Sequence, residues 1–329
     1  MINGFSKKKR LKAILYEKYG GPGELSIKEL DPPIPKDNEV LVKVYAVSLN
    51  DWDLGLLSGD FVNRMLNGIP GPKKKILCSD IAGVVATVGK DVRLFKPGDE
   101  VYGDLSGQWG GLAEYVCASE KSLAKKPASM SFVEAAAIPQ AAMLAVQALI
   151  DKGKIQSNHK LLVNGAGGGV GSFAVQIAKL YRAEITGVDS NGKLDMLRSI
   201  GFDHVVDYTK QDFTKSGQLY DLIIDAKTNR PVSDYIRALS PNGRYVTVGG
   251  SLGRLFQVLL FSPWISMLGK KKFSIVSLKP NKDLDYMNKL FENGDLKPLI
   301  EGPYHFSQFR EAFEIFIGSR HKGKVVIVM

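Results

Sequence analysis

Residues Leu161 to Lys179 read LLVNGAGGGVGSFAVQIAK: an apolar run, then seven residues that include five glycines, then apolar residues at helical spacing. The chemistry this order permits is the holding of a pyrophosphate. Leu161, Leu162 and Val163 suit a strand covered on both faces, and Phe173, Ala174, Ile177 and Ala178 recur on one side of a helix. Between them Gly165 lets the chain reverse, Gly168 removes a side chain that would hold an anion away, and Gly171 lets the helix pack closely on the strand. The N–H groups of Gly169, Val170 and Gly171 then meet the anion at the positive end of the helix. The spacing is G-x-x-G-x-x-G, so the turn alone reads either as a nucleotide site or as a structural strand-to-helix turn. The next strand, Glu184 to Val188, favours the nucleotide: it ends in Asp189, near the offset of roughly 20 residues at which an acidic group meets a ribose. A carboxylate there accepts from the ribose hydroxyls and repels a 2′-phosphate, which favours NAD(H) over NADP(H). Ser190 and Lys193 keep NADP(H) open, because a hydroxyl and an ammonium together could hold that phosphate.

The elements that must position this turn belong to a chain of 329 residues, too long for one comfortable core and suited to two domains. With 44% apolar and 24% charged residues the composition is that of a globular protein. The net charge of +10 sits partly in three runs, Lys7 to Arg10, Lys73 to Lys75 and Lys270 to Lys272. Such runs read as solvated faces, whose field attracts anionic cofactors and, weakly, nucleic acid or anionic lipid; no specific nucleic-acid partner is expected. Two cysteines, Cys78 and Cys117, cannot build a disulfide framework or a four-cysteine zinc site, so a reducing compartment, the cytoplasm, is the simplest expectation. The start, MINGFSKKKRLKAILY, has too short an apolar run for a secretory signal. Leu255 to Leu268 is below membrane-spanning length and is interrupted by Pro263. It reads as a loop and short helix lining a cleft or a subunit contact, or, with the lysines that follow, as a peripheral membrane patch.

From Lys12 to about Pro127 short apolar strands such as VLVKVYAVSL and DIAGVVATVG alternate with Gly- and Pro-rich turns, the texture of a β-barrel-like domain. A long helix, FVEAAAIPQAAMLAVQALI, then leads into strands LLVNG, EITGVD, HVVDY, DLIIDA and GRYVTVGG alternating with helices, as in a doubly wound parallel sheet. Helices at Asp283 to Glu292 and near Gln308 to Ile317 and a strand Val325 to Val328 close the chain and are expected to rejoin the first domain. The division is 1–134 completed by 274–329, with 135–273 inserted.

Several blocks in this order resemble the zinc-independent quinone oxidoreductase branch of the medium-chain dehydrogenase/reductases: SLNDWD at Ser48 to Asp53, SDIAGVVATVGKDVRLFKPGDEVYG from Ser79 to Gly103, GGLAEYV from Gly110, NGAGGGVGSFAVQIAK, LRSIGFDHVVDY, YDLIIDA, GRYVTVGG and the closing GKVVIV. The resemblance implies an α/β chain with a GroES-like β-barrel catalytic domain and an inserted Rossmann domain. It implies a homodimer too, paired through an edge strand for which Gly243 to Val248 with the following segment is the natural choice. Aligned on these blocks, the three zinc-ligand positions of the alcohol-dehydrogenase branch carry Asn50, Ser79 and Gln140, none a thiolate or imidazole, so no metal is expected. The four histidines fall elsewhere and read as surface residues.

Hydride delivery from a nicotinamide to an already electrophilic acceptor, a quinone or an α,β-unsaturated carbonyl, is the chemistry that needs no metal. A simple alcohol or aldehyde would need a Lewis acid. Asn50 is the first candidate, donating to the substrate oxygen or the nicotinamide ribose. Asp53 either orients Asn50 or caps the following helical turn. Tyr102 and Trp109, read as loop residues, could stack on a flat acceptor or pack in the core. By position in the resemblance, Tyr208 lies near the adenosine and Gly249 and Gly250 near the nicotinamide half. Asp225-Ala226-Lys227-Thr228 departs from the family pattern and puts a lysine near the cofactor path.

Overall fold

The computed structural model describes residues 10–268 and 270–329; the start of the first basic run, Lys7 to Lys9, lies outside the described residues. The chain divides into two compact units, residues up to 140 with 280–292 and 300–329, and residues 141–279 with 293–299.

The first stretch supplies β1 (Leu11–Leu15), β2 (Ser26–Leu30), β3 (Glu39–Ser48), α1 (Asp51–Ser58), α2 (Phe61–Asn67), β4 (Asp80–Val88), β5 (Glu100–Asp104), β6 (Tyr115–Ser119), β7 (Ala124–Lys125) and α3 (Phe132–Ala137). After α4 (Pro139–Val146), the second unit supplies β8 (Lys160–Asn164), α5 (Gly169–Lys179), β9 (Glu184–Asp189), α6 (Leu194–Ile200), β10 (His204–Asp207) and β11 (Tyr220–Asp225). It continues with α7 (Val232–Ala238), β12 (Leu239–Thr247), α8 (Leu252–Leu268) and β13 (Lys272–Ile275). The chain closes with α9 (Leu284–Glu292), β14 (Ile300–His305), α10 (Phe309–Ile317) and β15 (Lys324–Val328).

In the first unit β3 is the hub, paired antiparallel with β4, β6 and β15. Its apolar positions are buried while Lys43 and Tyr45 point outward, the alternation that a strand with one covered face requires. Val42, Val47, Ile81, Val325 and Ile327 from these strands join Phe309 and Phe313 of α10 in one apolar core. The register sets Ser48 opposite Asp80 on β4 and Val326 on β15, so the ends of three strands meet at one place.

The second unit is a six-stranded parallel sheet in the order β10-β9-β8-β11-β12-β13. The order reverses between β8 and β11, and ligands of such sheets bind outside the carboxyl ends of the strands at that reversal. Leu161, Leu162 and Val163 are fully buried, as a strand covered on both faces must be.

Five readings of the sequence are corrected. The helix expected from Phe132 onward is broken into α3, α4 and a wider turn over Gln147–Lys152, because Pro139 opens a new helix and the Gln140 N–H bonds Asp80 Oδ1 at 3.1 Å instead of the preceding turn. Leu255 to Leu268 is not a loop with a short helix but part of the continuous α8; the Leu259 carbonyl, which Pro263 cannot serve, accepts the Ser262 hydroxyl at 3.4 Å. Gly243 to Val248 is not itself an edge, since β12 lies between β11 and β13; the edge on that side of the sheet is β13, in the segment that follows. Tyr102 is no loop residue: it lies in β5, fully buried, and its hydroxyl donates to Asn288 Oδ1 at 2.6 Å. His321 is likewise buried, stacked on Phe316 with ring centroids 4.7 Å apart, whereas His204 and His305 are exposed.

Candidate functional site

Two constellations carry the candidate chemistry, one in each unit. In the second unit β8 runs into the glycine turn. Gly165 has φ +83°, a conformation other residues rarely adopt, and the Gly168 N–H closes the turn on its carbonyl at 3.3 Å. The bonding of α5 begins with Ser172 N–H to Gly168 O at 3.0 Å, which leaves the first-turn N–H groups of Gly169, Val170 and Gly171 as donors without an intrahelical partner. A Cβ at Gly171 would lie 2.3 Å from the Ala166 carbonyl oxygen, so close packing of helix on turn demands glycine there. At Gly168 a Cβ would meet nothing nearer than the Gly165 carbonyl oxygen at 3.6 Å, so that side of the turn is open.

Asp189 ends β9 and is built into the turn. Its Oδ2 accepts the Gly167 N–H at 2.8 Å, its Oδ1 accepts the Ser190 N–H at 2.8 Å, and Lys193 Nζ stands 3.9 Å from Oδ1. Gly167 was not singled out from sequence; a Cβ there would lie 2.6 Å from Lys193 Cδ and 2.9 Å from Asp189 Oδ2, so a side chain at this position would displace the pair from its present arrangement. Tyr208 follows β10 with its ring exposed and its N–H on the Asp189 carbonyl at 3.2 Å. Gly249 and Gly250 follow β12, Gly250 with φ +123°. The buried Asp225 carboxylate shapes the loop after β11 by accepting from the N–H groups of Lys227 and Thr228, from Asn164 Nδ2 and from the Tyr245 hydroxyl. Lys227 lies over Gly165, where a Cβ would be 3.1 Å from its Cγ. All these residues therefore gather at the carboxyl ends of parallel strands. A cavity of about 210 Å³ opens at the opposite, amino ends, between Lys160, Glu184, His204 and Tyr220, away from the turn.

In the first unit, the ends of β3, β4 and β15 hold Asn50, Asp53, Asp80 and Lys324, all buried. Asp53 accepts the Asn50 N–H at 2.9 Å and the Cys78 N–H at 2.8 Å, so it both caps α1 and fixes the Asn50 backbone; with no exposed surface it acts through its neighbour. Burial pushes its carboxyl up to about 7. Asp80 accepts Asn50 Nδ2 at 3.0 Å, Ser48 Oγ at 3.2 Å and the Gln140 N–H at 3.1 Å, and burial raises it to about 6 against the opposing pull of Lys324. Lys324 Nζ donates to Asn50 Oδ1 at 2.6 Å, to the Leu49 carbonyl at 2.9 Å and to Asp80 Oδ2 at 3.3 Å. Asp80 and Lys324 were missed from sequence, though each is a charged residue heading an otherwise apolar buried strand. Trp109 is half-buried, with Lys74 Nζ 4.3 Å from its ring centroid.

Residues 36–128 match the alcohol dehydrogenase GroES-like domain family, and residues 200–327 match the zinc-binding dehydrogenase family. The chain is 32% identical over 336 residues to the chloroplastic quinone-oxidoreductase QR1 of Triphysaria versicolor, covering 97% of this chain and 98% of that protein. It is also 32% identical to the chloroplastic NADPH-dependent alkenal/one oxidoreductase of Arabidopsis thaliana, covering 97% and 80%. Among solved structures, the quinone oxidoreductase from Coxiella burnetii matches with a TM-score of 0.86 at 27% identity, covering 98% of this chain and all of that one.

Zinc, which the name of the second matching family implies, does not fit the residues present. Asn50 offers its amide oxygen to an ammonium, Ser79 is a hydroxyl, and Gln140 an amide. The ammonium at 2.6 Å from the one available oxygen of Asn50 opposes a second cation there. Among the described residues no three His, Cys, Asp or Glu side chains converge as ligands. A dinucleotide does fit: the open side of Gly168, the free first-turn N–H groups and the acid at the end of β9 form the cradle it requires.

Proposed function

We infer that this chain, which belongs to the quinone oxidoreductase-like medium-chain dehydrogenase/reductases, is an NAD(P)H-dependent oxidoreductase that reduces a quinone or an α,β-unsaturated carbonyl without a metal. The observation that carries the reading is the glycine turn at the strand-order reversal, built to approach a pyrophosphate. Gly168, Gly169, Val170 and Gly171 would hold the pyrophosphate, Asp189 with Ser190 and Lys193 the adenosine ribose, Tyr208 the adenine side, and Gly249 and Gly250 the nicotinamide half. When bound, the nicotinamide supplies a hydride to an electrophilic carbon of the acceptor.

The protein's task is then to stabilise the electron pair that moves onto the acceptor oxygen as an enolate or hydroquinone anion. Asn50 is the donor for that oxygen, because its carboxamide is buried and fixed before any substrate arrives. Asp53 holds the backbone from which Asn50 projects. Both acceptor classes spread the new charge, so a hydrogen bond suffices where a simple aldehyde would need a Lewis acid.

NADH is the favoured cofactor in this proposal, because the Asp189 carboxylate opposes a 2′-phosphate; the Arabidopsis relative named NADPH-dependent marks the alternative that Lys193 leaves open. A cytoplasmic location remains the working assignment, consistent with two buried free cysteines, and among the described residues no helix is long and apolar enough to cross a membrane. We also assign a homodimer, supported by the edge strand β13 and by the exposed apolar side chains of Phe256, Leu259, Leu260, Trp264 and Met267 on α8 beside it. Light scattering is expected to give twice the chain mass; a monomer that floats with anionic vesicles would assign the α8 face to a membrane surface instead.

The reaction is tested by following NADH and NADPH oxidation with a panel of quinones, enones and simple aldehydes. Turnover of quinones or enones but not aldehydes is expected. Turnover of simple alcohols or aldehydes only would overturn the assignment.

A further inference from the structure

Three buried groups from distant parts of the chain meet at one side chain. Lys324 Nζ has three N–H bonds, and three acceptors stand in reach: the Leu49 carbonyl, Asn50 Oδ1 and Asp80 Oδ2. Lysine can only donate and an ionised carboxylate can only accept, so the Asn50 amide has one permitted orientation, oxygen to Lys324 and nitrogen to Asp80. A flipped amide would set NH₂ against an ammonium and oxygen against a carboxylate, with every partner more than nine-tenths buried.

We propose that the Lys324–Asp80 ion pair is the positioning device for Asn50, holding its carboxamide so that the one N–H left unclaimed on Nδ2 is presented to the acceptor oxygen. This rests on the reading of Asn50 as the donor. The ammonium on Oδ1 also draws charge from the amide and makes that N–H the stronger donor. A buried ion pair is a poor device for stability alone, since well-packed apolar residues serve as well, and its use here is to specify an orientation. It also places a fixed positive charge among the residues that stand at the zinc-ligand positions, two of which, Asn50 and Gln140, bond the same Asp80 carboxylate. Lys324 and Asp80 are positioning residues acting through Asn50.

The test is a double-mutant cycle of Lys324→Met and Asn50→Ala, read with an enone and a quinone, with cofactor affinity measured by calorimetry. Lys324→Met is expected to lower kcat for the enone by about 10- to 100-fold, somewhat less than loss of a complete oxyanion donor, with cofactor affinity unchanged. The quinone, which stabilises its own anion better, should lose less. In the Asn50→Ala background Lys324→Met should have no further effect on kcat. Equal losses for both acceptors, or the same loss in both backgrounds, would overturn the proposal. A readout independent of turnover is the Asn50 side-chain amide in ¹⁵N NMR, identified by its disappearance in Asn50→Ala. Amide protons shifted away from free-asparagine values and exchanging slowly with solvent are expected in the native protein, and a return toward free values or fast solvent exchange in Lys324→Met. Unchanged amide signals would remove the clamp. If no quinone or enone turns over, the functional reading fails, and the NMR result still decides the clamp. Should Lys324→Met not fold, Lys324→Gln, whose uncharged amide can donate or accept and so no longer dictates the Asn50 orientation, replaces it in both measurements.

Discussion

Asp189 Oδ2 accepts the N–H of Gly167 at 2.8 Å, so the acid that ends β9 is bonded directly into the glycine turn that follows β8. The residue read as the ribose ligand is thus also a strut of the phosphate cradle. Ligand selection and turn geometry are coupled through one carboxylate, and a substitution there must be measured on both.

Gly168 and Gly171 belong to one motif but face different surroundings, which separates binding from folding. Gly168→Val puts a side chain into open space and should leave the melting temperature within a few degrees, while weakening NADH by at least about 10-fold where an anion must approach. Gly171→Val drives Cβ against the Ala166 carbonyl and should destabilise the protein by about 2 kcal/mol or more. Calorimetric titration and thermal melting check the pair. Unchanged nucleotide affinity in folded Gly168→Val would remove the assignment of the turn.

Purified protein is expected to carry no stoichiometric zinc and to keep its activity through chelator treatment, because Lys324 already occupies the Asn50 oxygen. One equivalent of tightly held zinc by elemental analysis contradicts this.

The glycine turn was legible in the sequence because backbone geometry leaves few substitutes: a positive φ at Gly165 and a carbonyl 2.3 Å from a Cβ at Gly171 both write glycine into the chain. Asp189 was legible by its place at a strand end. The Lys324–Asp80 pair was not, because its members lie 244 positions apart and only the register of β3 with β4 and β15 brings them together. Tyr102 was misplaced for a related reason, since β5 is short and its partner Asn288 comes from α9, far along the chain. In α8 the proline suggested a break, and the hydroxyl of Ser262 that serves the freed carbonyl carries no signal of its own in the sequence.

Stability should depend on pH through Asp53. Its carboxyl is ionised in the unfolded chain above about 4 and, pushed up by burial to about 7, holds its proton longer in the folded one. Between those values the folded state binds more protons, so the contribution is fully present below the unfolded value and is lost as pH rises through about 7. Asp80, raised to about 6, acts in the same direction. The stability of the native protein minus that of Asp53→Asn, from urea denaturation, should therefore be greater at pH 5 than at pH 8, by about 1 kcal/mol or more. A difference that grows with pH would mean that the N–H groups of Asn50 and Cys78 keep the carboxylate ionised despite burial.

Cofactor choice turns on the balance between Asp189 and Lys193. A carboxylate beside a doubly charged 2′-phosphate costs about 1 to 3 kcal/mol at partly exposed separations, so NADH should be preferred by roughly 10- to 100-fold. Asp189→Ser removes the repulsion and with it the ion pair in which the Lys193 ammonium stands 3.9 Å from Oδ1, so that the positive charge counts toward the phosphate. The preference should therefore shift toward NADPH, with the maximal rate at saturating NADH nearly unchanged. The same variant leaves the Gly167 N–H without its acceptor and should lose about 1 to 3 kcal/mol of stability. Lys193→Ala gives the opposite sign: with the carboxylate unopposed, NADPH should bind more weakly still. A native enzyme that already prefers NADPH and keeps that preference in Asp189→Ser would show that the carboxylate serves the turn alone and that Lys193 and Lys227 select the cofactor.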